Sequence, residues 1–170
     1  MKEIEVKVIE IDKKEVIDKL KSIGAEKILD DDIFTVKFDF PSKRLEKDDC
    51  YLRLRKEGEV AVLTFKKAIS KEDVKVADEL EVAVESFGDT RKVLEAIGMV
   101  EVKSWAKHRI SYLVGEVRVD IDSQADIPDF LEIEAGSIEE IYDLVDELGL
   151  PEENVKPWSG KDLVEYYGRQ

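Results

Sequence analysis

The sequence predicts an α+β fold: a closed antiparallel β-barrel of about eight strands around a charged tunnel, with helices packed outside. Three observations predict it. Strand-like segments throughout the chain alternate apolar residues with charged ones. Each segment carries charge mostly of one sign, spaced i, i+2 and so aimed at one face. Three capped helices each offer a single apolar stripe, which must be buried on something larger.

At the start of the chain, Glu3, Glu5 and Lys7 fall on one face and Ile4, Val6 and Val8 on the other. Residues 12–23 read as a helix capped by Asp12, with Glu15 three residues on and Gly24 ending the run. Residues 33–40 form a strand-like run that includes Lys37 and Asp39 on one face, after an acidic stretch at 30–32 read as a solvated loop. Arg53 and Arg55 oppose Leu52 and Leu54, and Thr64 and Lys66 oppose Leu63 and Phe65. Glu79, Glu81 and Glu85 oppose Leu80, Val82 and Val84. A second helix spans 89–97 with Asp89 at its head and Gly98 behind it.

Residues 99–105 supply a further strand, and Lys107 and Arg109 share a face of the next. Arg118, Asp120 and Asp122 oppose Val117, Val119 and Ile121, and Glu132 and Glu134 oppose Leu131 and Ile133. Ser137 caps a third helix over 137–148, and a tail helix is expected near 160–167.

Strand by strand, an open sheet with one solvated face accounts for the same alternation. Closure is favoured because so many strands form a barrel without exposed edges, and the charged faces then point inward. Buried charges must pair or await ligands, since each unpaired ion costs several kcal/mol. Carboxylate clusters suit hard cations such as Mg²⁺ or Mn²⁺, and Arg and Lys clusters suit phosphate oxygens. Both together describe a metal–polyphosphate site.

The 170 residues suit one domain spanning 1–170, and 43% hydrophobic residues exclude wholesale disorder. A single cysteine excludes an internal disulfide and a cysteine-rich zinc site. No apolar run is long enough for a membrane helix, and MKEIEVKV enters the alternating pattern at once, so a cytoplasmic protein is expected. The net charge of −14 disfavours nucleic acid and anionic membrane as partners, and any anionic small-molecule substrate must find a local basic pocket.

Glu3-Ile4-Glu5-Val6-Lys7 matches the ExExK signature of the CYTH superfamily, the triphosphate tunnel metalloenzymes. Leu52-Arg53-Leu54-Arg55, Leu63-Thr64-Phe65-Lys66, Glu79-Leu80-Glu81, Lys107-His108-Arg109, the Asp120 strand and Phe130-Leu131-Glu132-Ile133-Glu134 follow in the family's order. The chain therefore resembles that superfamily over essentially its whole length. The resemblance implies that Glu3, Glu5, Glu132 and Glu134, with Asp120 assisting, hold Mg²⁺ or Mn²⁺. It implies that Lys7, Arg53, Arg55, Lys66, Lys107 and Arg109 grip a triphosphate, and that Lys7, Glu79 and Glu81 are candidate catalytic residues. The implied reaction is that of a class IV adenylyl cyclase, ATP to 3′,5′-cyclic AMP and pyrophosphate. A triphosphate hydrolase is the alternative, a non-catalytic polyphosphate binder a more remote one, and a homodimer one assembly such a chain could form.

Departures from the family pattern fall around substrate choice. Thr35-Val36-Lys37-Phe38-Asp39 lacks the first Asp and the Tyr of the usual Asp-Thr-Tyr-Phe-Asp, Lys66-Lys67-Ala68 replaces Lys-Gly-Pro, an Arg before Glu79 is absent, and Trp158-Ser159-Gly160 replaces a Ser-Tyr signature. Lys37 offers one more base. His108 alternates away from the Lys107 and Arg109 face, Cys50 reads as inert, and Trp105 and Trp158 read as packing residues. Arg118 and Asp122 read as site residues or as a structural ion pair at the barrel's end.

Overall fold

The structure, a computed structural model, describes residues 2–168, with the side chains of Lys2, Glu3 and Lys71 outside the description. The strands are β1 (Lys2–Val8), β2 (Glu26–Asp39), β3 (Cys50–Glu57), β4 (Val60–Lys71), β5 (Lys75–Val84), β6 (Val100–Val114), β7 (Val117–Gln124), β8 (Ile127–Ala135) and the two-residue β9 (Val155–Lys156). The helices are α1 (Lys13–Ser22), α2 (Arg44–Lys47), α3 (Phe87–Ala96), α4 (Ile138–Glu147) and α5 (Gly160–Tyr167). The strand order is β5-β4-β3-β2-β6-β7-β8-β1-β9, and a further β5–β1 pairing closes the sheet. The fold is thus the closed antiparallel barrel that the alternating charges predict. No helix among the described residues is long and apolar enough to cross a membrane.

Two compact units make up the chain. One consists mainly of Asp31–Ile69 and Ala77–Lys107, the other of Glu3–Asp30, Ser70–Val76 and the chain from His108 onward. In the second unit both faces of the strands are buried. Val6, Val8, Val119, Ile121, Leu131 and Ile133 join Val16 and Leu20 of α1 and Ile141, Leu144 and Val145 of α4 in one apolar cluster. On the opposite face Glu5, Lys7, Arg109, Ser111, Asp120 and Asp122 are buried as well. The first unit packs Val36, Phe38 and Leu54 against Leu94 and Met99.

Asp12, Ser137 and Ser159 cap α1, α4 and α5, each side chain accepting the backbone N–H three residues on. The second helix begins earlier than expected. Ser86 rather than Asp89 is its cap, because the Ser86 hydroxyl takes the Asp89 N–H. Residues 30–32 are strand rather than loop: they lie within β2, where Lys27 and His108 offset the acidity of Asp30 at 2.8 and 3.0 Å. The strand expected at 99–105 and the next one, carrying Lys107 and Arg109, are a single strand, β6.

Helix α2 has no sequence signal, being only four residues long. It is held from a distance by Asp39, whose carboxylate accepts the N–H groups of Phe40, Leu45 and Glu46 at 2.7, 2.9 and 3.0 Å. Gly58 turns the β3–β4 hairpin at φ +55°, where a Cβ would lie 2.6 Å from Asp31 Oδ2.

Candidate active site

In the second unit, strand register arranges the charged face in three rows. Glu5, Glu134 and Arg118 are Cα partners across β1, β8 and β7. Lys7, Glu132, Asp120 and Ser111 form the next row, continuing into β6, and Phe130, Asp122 and Arg109 form the third. Most neighbours in this ladder are of opposite sign or neutral. Two pairs are exceptions, Glu5 opposite Glu134 and Asp120 opposite Glu132, carboxylates whose direct pairing is destabilising unless positive charge lies nearby.

Two lysines lie against these carboxylates. Lys7 Nζ lies 3.1 Å from Glu132 Oε2 and 3.6 Å from Glu5 Oε1. Burial alone pulls the lysine pKa down, but Glu132 and Glu5 outweigh it and hold Lys7 well above the ordinary lysine range. Its ammonium thus neutralises charge on both carboxylates. Lys75 hydrogen-bonds to Glu5, and both are buried.

Arg109 forks onto Asp122, Nε to Oδ1 at 2.6 Å and Nη2 to Oδ2 at 2.7 Å. Its Nη1 donates to Asp120, and its Nη2 reaches Glu132 Oε2 at 3.4 Å. Burial works to lower its pKa, but Asp122, Asp120 and Glu132 outweigh that and raise it well above the ordinary value, so the guanidinium stays charged. Arg118 Nε donates to Asp120 Oδ1 at 2.9 Å. Arg118 and Asp122, which the sequence leaves as site residues or as an ion pair, take these partners: Arg118 donates to Asp120, and the fully buried Asp122 accepts from Arg109.

The first unit holds the other basic cluster. Arg53 and Arg55 of β3 share a face with Thr64 and Lys66 of β4, since Arg53 pairs with Thr64 and Tyr51 with Lys66. Glu79 of β5 lies 3.0 Å from Lys66 Nζ and 3.4 Å from Arg53 Nη2. Burial raises the Glu79 pKa, but Lys66 and Arg53 more than offset it and hold the carboxyl below the usual carboxylate range. Glu81 accepts the Thr64 hydroxyl at 3.0 Å and stands 3.7 Å from Arg55, which also meets Glu57 at 2.8 Å. Lys37 sits over the Tyr51 ring, 4.1 Å from its centroid.

Of the residues singled out by sequence, Glu5, Lys7, Arg109, Asp120, Glu132 and Glu134 come together in the second unit, and Arg53, Arg55, Lys66, Glu79 and Glu81 in the first. Lys107 lies half-buried on β6 in the first unit, and the Glu3 side chain lies outside the described residues. His108 pairs with Asp30 at 3.0 Å, and the Trp158 and Tyr166 rings meet at a 47° tilt with centroids 4.9 Å apart. Cys50 is buried, its thiol donating to the Asp48 carbonyl at 3.2 Å. Sequence reading missed Lys75 and left the role of Asp122 open. The inward alternation of Lys75 with Glu79 and Glu81 was the signal that could have found it. A surface hollow of about 460 Å³ runs along α1 from Asp12 to Ser22 and includes none of these residues.

The donor chemistry suits a hard divalent cation, because the opposed Glu5 and Glu134 and the neighbouring Glu132 and Asp120 all present carboxylate oxygens. Among the described residues no three such side chains already converge as a cage. A cation would have to compete with the protein's own bases.

A family model described as the CYTH domain matches residues 1–157. A Methanocaldococcus jannaschii protein named as a candidate adenylate cyclase is 26% identical over 167 residues, covering 91% of this chain and 94% of the relative. A Pyrococcus horikoshii structure matches with TM-score 0.79 and 26% identity over 95% of this chain and 98% of that one. A Hippeastrum structure, described as a candidate adenylyl cyclase with a dominant triphosphatase activity, shares the fold at TM-score 0.67 and 16% identity, covering 98% and 95%.

Proposed function

Because the chain belongs to the CYTH domain family, we propose that it is a metal-dependent enzyme acting on the triphosphate of a small molecule, converting ATP to 3′,5′-cyclic AMP and pyrophosphate. The observation that carries the triphosphate reading is the cluster of Arg53, Arg55 and Lys66, bases turned to one face and held there by carboxylates that an incoming polyanion can displace. The cyclase reading is supported by the name of the Methanocaldococcus jannaschii relative.

Glu5, Glu132 and Glu134, with Asp120, are the residues that would hold Mg²⁺ or Mn²⁺, and Glu3 joins them through its place in the ExExK motif. Such an ion supplies charge withdrawal from phosphoryl oxygens. Lys7 neutralises negative charge that develops on the phosphate chain. Arg53, Arg55, Lys66 and Lys107 grip and orient the triphosphate. Glu79, kept ionised by Lys66 and Arg53, holds those two bases ready, and Glu81 does the same for Arg55 through the Thr64 contact. Arg109 serves chiefly as a positioning residue, since its donors are engaged by Asp122, Asp120 and Glu132.

Cyclisation requires the ribose 3′-hydroxyl to attack the α-phosphorus in line, with pyrophosphate leaving. Hydrolysis at the terminal phosphorus requires only water, and the Hippeastrum protein's described activity favours this second reading. Incubation with ATP, 3′-deoxy-ATP and tripolyphosphate under Mg²⁺ or Mn²⁺, with product identification, tests both. Cyclic AMP and pyrophosphate from ATP, with neither from 3′-deoxy-ATP, are expected. Orthophosphate from all three substrates would replace the cyclase by a hydrolase with the same gripping residues.

A further inference from the structure

Lys75 opens β5 on the same face as Glu79 and Glu81, four and six residues further along the strand. The residue before it, Val74, is buried in the apolar cluster of the second unit, so the backbone that delivers Lys75 is anchored. Its ammonium hydrogen-bonds to Glu5, whose side chain is 2% exposed. Lys7 stands 3.6 Å away from the same Glu5 oxygen. Glu5 in turn faces Glu134 across the β1–β8 ladder.

Two opposed carboxylates need a positive charge near them, the more so where one of them, Glu5, is buried. Here Lys75 supplies one. A divalent cation arriving at Glu5 meets that ammonium, and like charges at such short range repel strongly where water is scarce. The two cannot both be held by the Glu5 oxygen that Lys75 occupies.

We propose that Lys75 is a tethered counter-cation that a divalent metal must displace from Glu5, and that the released ammonium then binds the triphosphate that accompanies the metal. The inference rests on the reading of Glu5 as a metal ligand. Its consequence is ordered: metal alone binds weakly, because each ion must break the Lys75–Glu5 pair. Metal with triphosphate binds tightly, because the displaced lysine gains a new anionic partner. Lys75 thereby couples the two ligands, and the coupling is reciprocal. Without Lys75 the metal would bind the free protein more readily and gain less from the triphosphate.

Calorimetric titration with Mn²⁺, with and without tripolyphosphate, tests this on the wild-type chain and on Lys75→Met, Lys75→Gln, Lys75→Arg and Glu5→Gln. The expected result is Mn²⁺ affinity about tenfold higher for Lys75→Met and Lys75→Gln than for wild type when no tripolyphosphate is present. Lys75→Arg keeps the charge and is expected to match wild type. Tripolyphosphate should raise Mn²⁺ affinity less in the two uncharged variants. Circular dichroism establishes that each variant is folded, and Lys75→Gln, which retains a hydrogen bond to Glu5, serves if Lys75→Met does not fold. Unchanged or weaker Mn²⁺ binding in the uncharged variants, with Glu5→Gln still impaired, would overturn the exchange while leaving the metal site intact. Equal Mn²⁺ affinity in wild type and Glu5→Gln would remove the metal site itself and the inference with it.

Discussion

Arg109 and Asp122, Cα partners across β6 and β7, are joined by a two-pronged contact of 2.6 and 2.7 Å with both side chains buried. A planar guanidinium matched to a carboxylate in this way is geometrically fixed as well as charged. Asp122→Asn removes the negative charge and leaves the guanidinium in a closed environment with less compensation. Breaking a buried pair from one side typically costs about 3–5 kcal/mol, and urea denaturation of Asp122→Asn should show a loss of that order. A loss below about 1 kcal/mol would mean that Asp120 and Glu132 suffice to hold Arg109.

The pH dependence of stability follows from three groups. Burial raises Glu79 and Asp39, but Lys66 and Arg53 hold the first down and three backbone N–H groups hold the second down, so both folded pKa values are depressed. Their contribution is present above the unfolded carboxyl range, about pH 4, and is lost as pH falls through the folded values. Lys7 has the opposite sign. Its folded pKa is raised, so its contribution is complete below about pH 10 and is lost as pH rises further. Unfolding free energy measured by urea titration should therefore be level between about pH 5 and 10 and fall at both ends. A decline centred near neutral pH would contradict this assignment.

Much of this was legible because a barrel strand imposes a period of two on its residues. Glu5 and Lys7, Arg53 and Arg55, and Glu132 and Glu134 each announce a shared face by spacing alone. The caps Asp12 and Ser137 were equally plain, since capping depends on residues within one turn. Helix α2 was not legible, because its N–H groups are held by Asp39, which is several residues away and looks like a strand residue. Lys75 was missed for a related reason: its contact with Glu5 spans 70 positions in the chain. Spacing showed that Asp120 and Asp122 share a face but not which arginine each would take. Cross-strand register decides that.

Glu79 lies 3.0 Å from Lys66 and 3.4 Å from Arg53, where it neutralises two bases assigned to the triphosphate. An incoming polyanion must take those bases from it. Glu79→Gln should therefore lower the stability of the free protein, by about 1–3 kcal/mol, because Lys66 is buried and loses a charged partner. The same substitution should tighten tripolyphosphate binding several-fold in titration calorimetry, the competing charge having gone. Weaker binding in the variant would show that Glu79 orients the bases more than it competes for them.

Tripolyphosphate itself should stabilise the fold. The chain carries a net charge of −14, so added salt of any kind relieves some self-repulsion and raises the melting temperature. That effect depends on ionic strength and has no saturation at a fixed stoichiometry. A ligand that binds only the folded state adds RT ln(1 + [L]/Kd), about 2.7 kcal/mol at a hundredfold excess over Kd. For a chain of this size each kcal/mol is worth roughly 2–4 °C, so a shift of about 5–10 °C beyond the chloride control is expected. Lys66→Met should keep the chloride response and lose most of the additional shift. Equal melting temperatures in tripolyphosphate and chloride at matched ionic strength would mean that the Arg53, Arg55 and Lys66 cluster is an internal ion-pair network and not a phosphate grip.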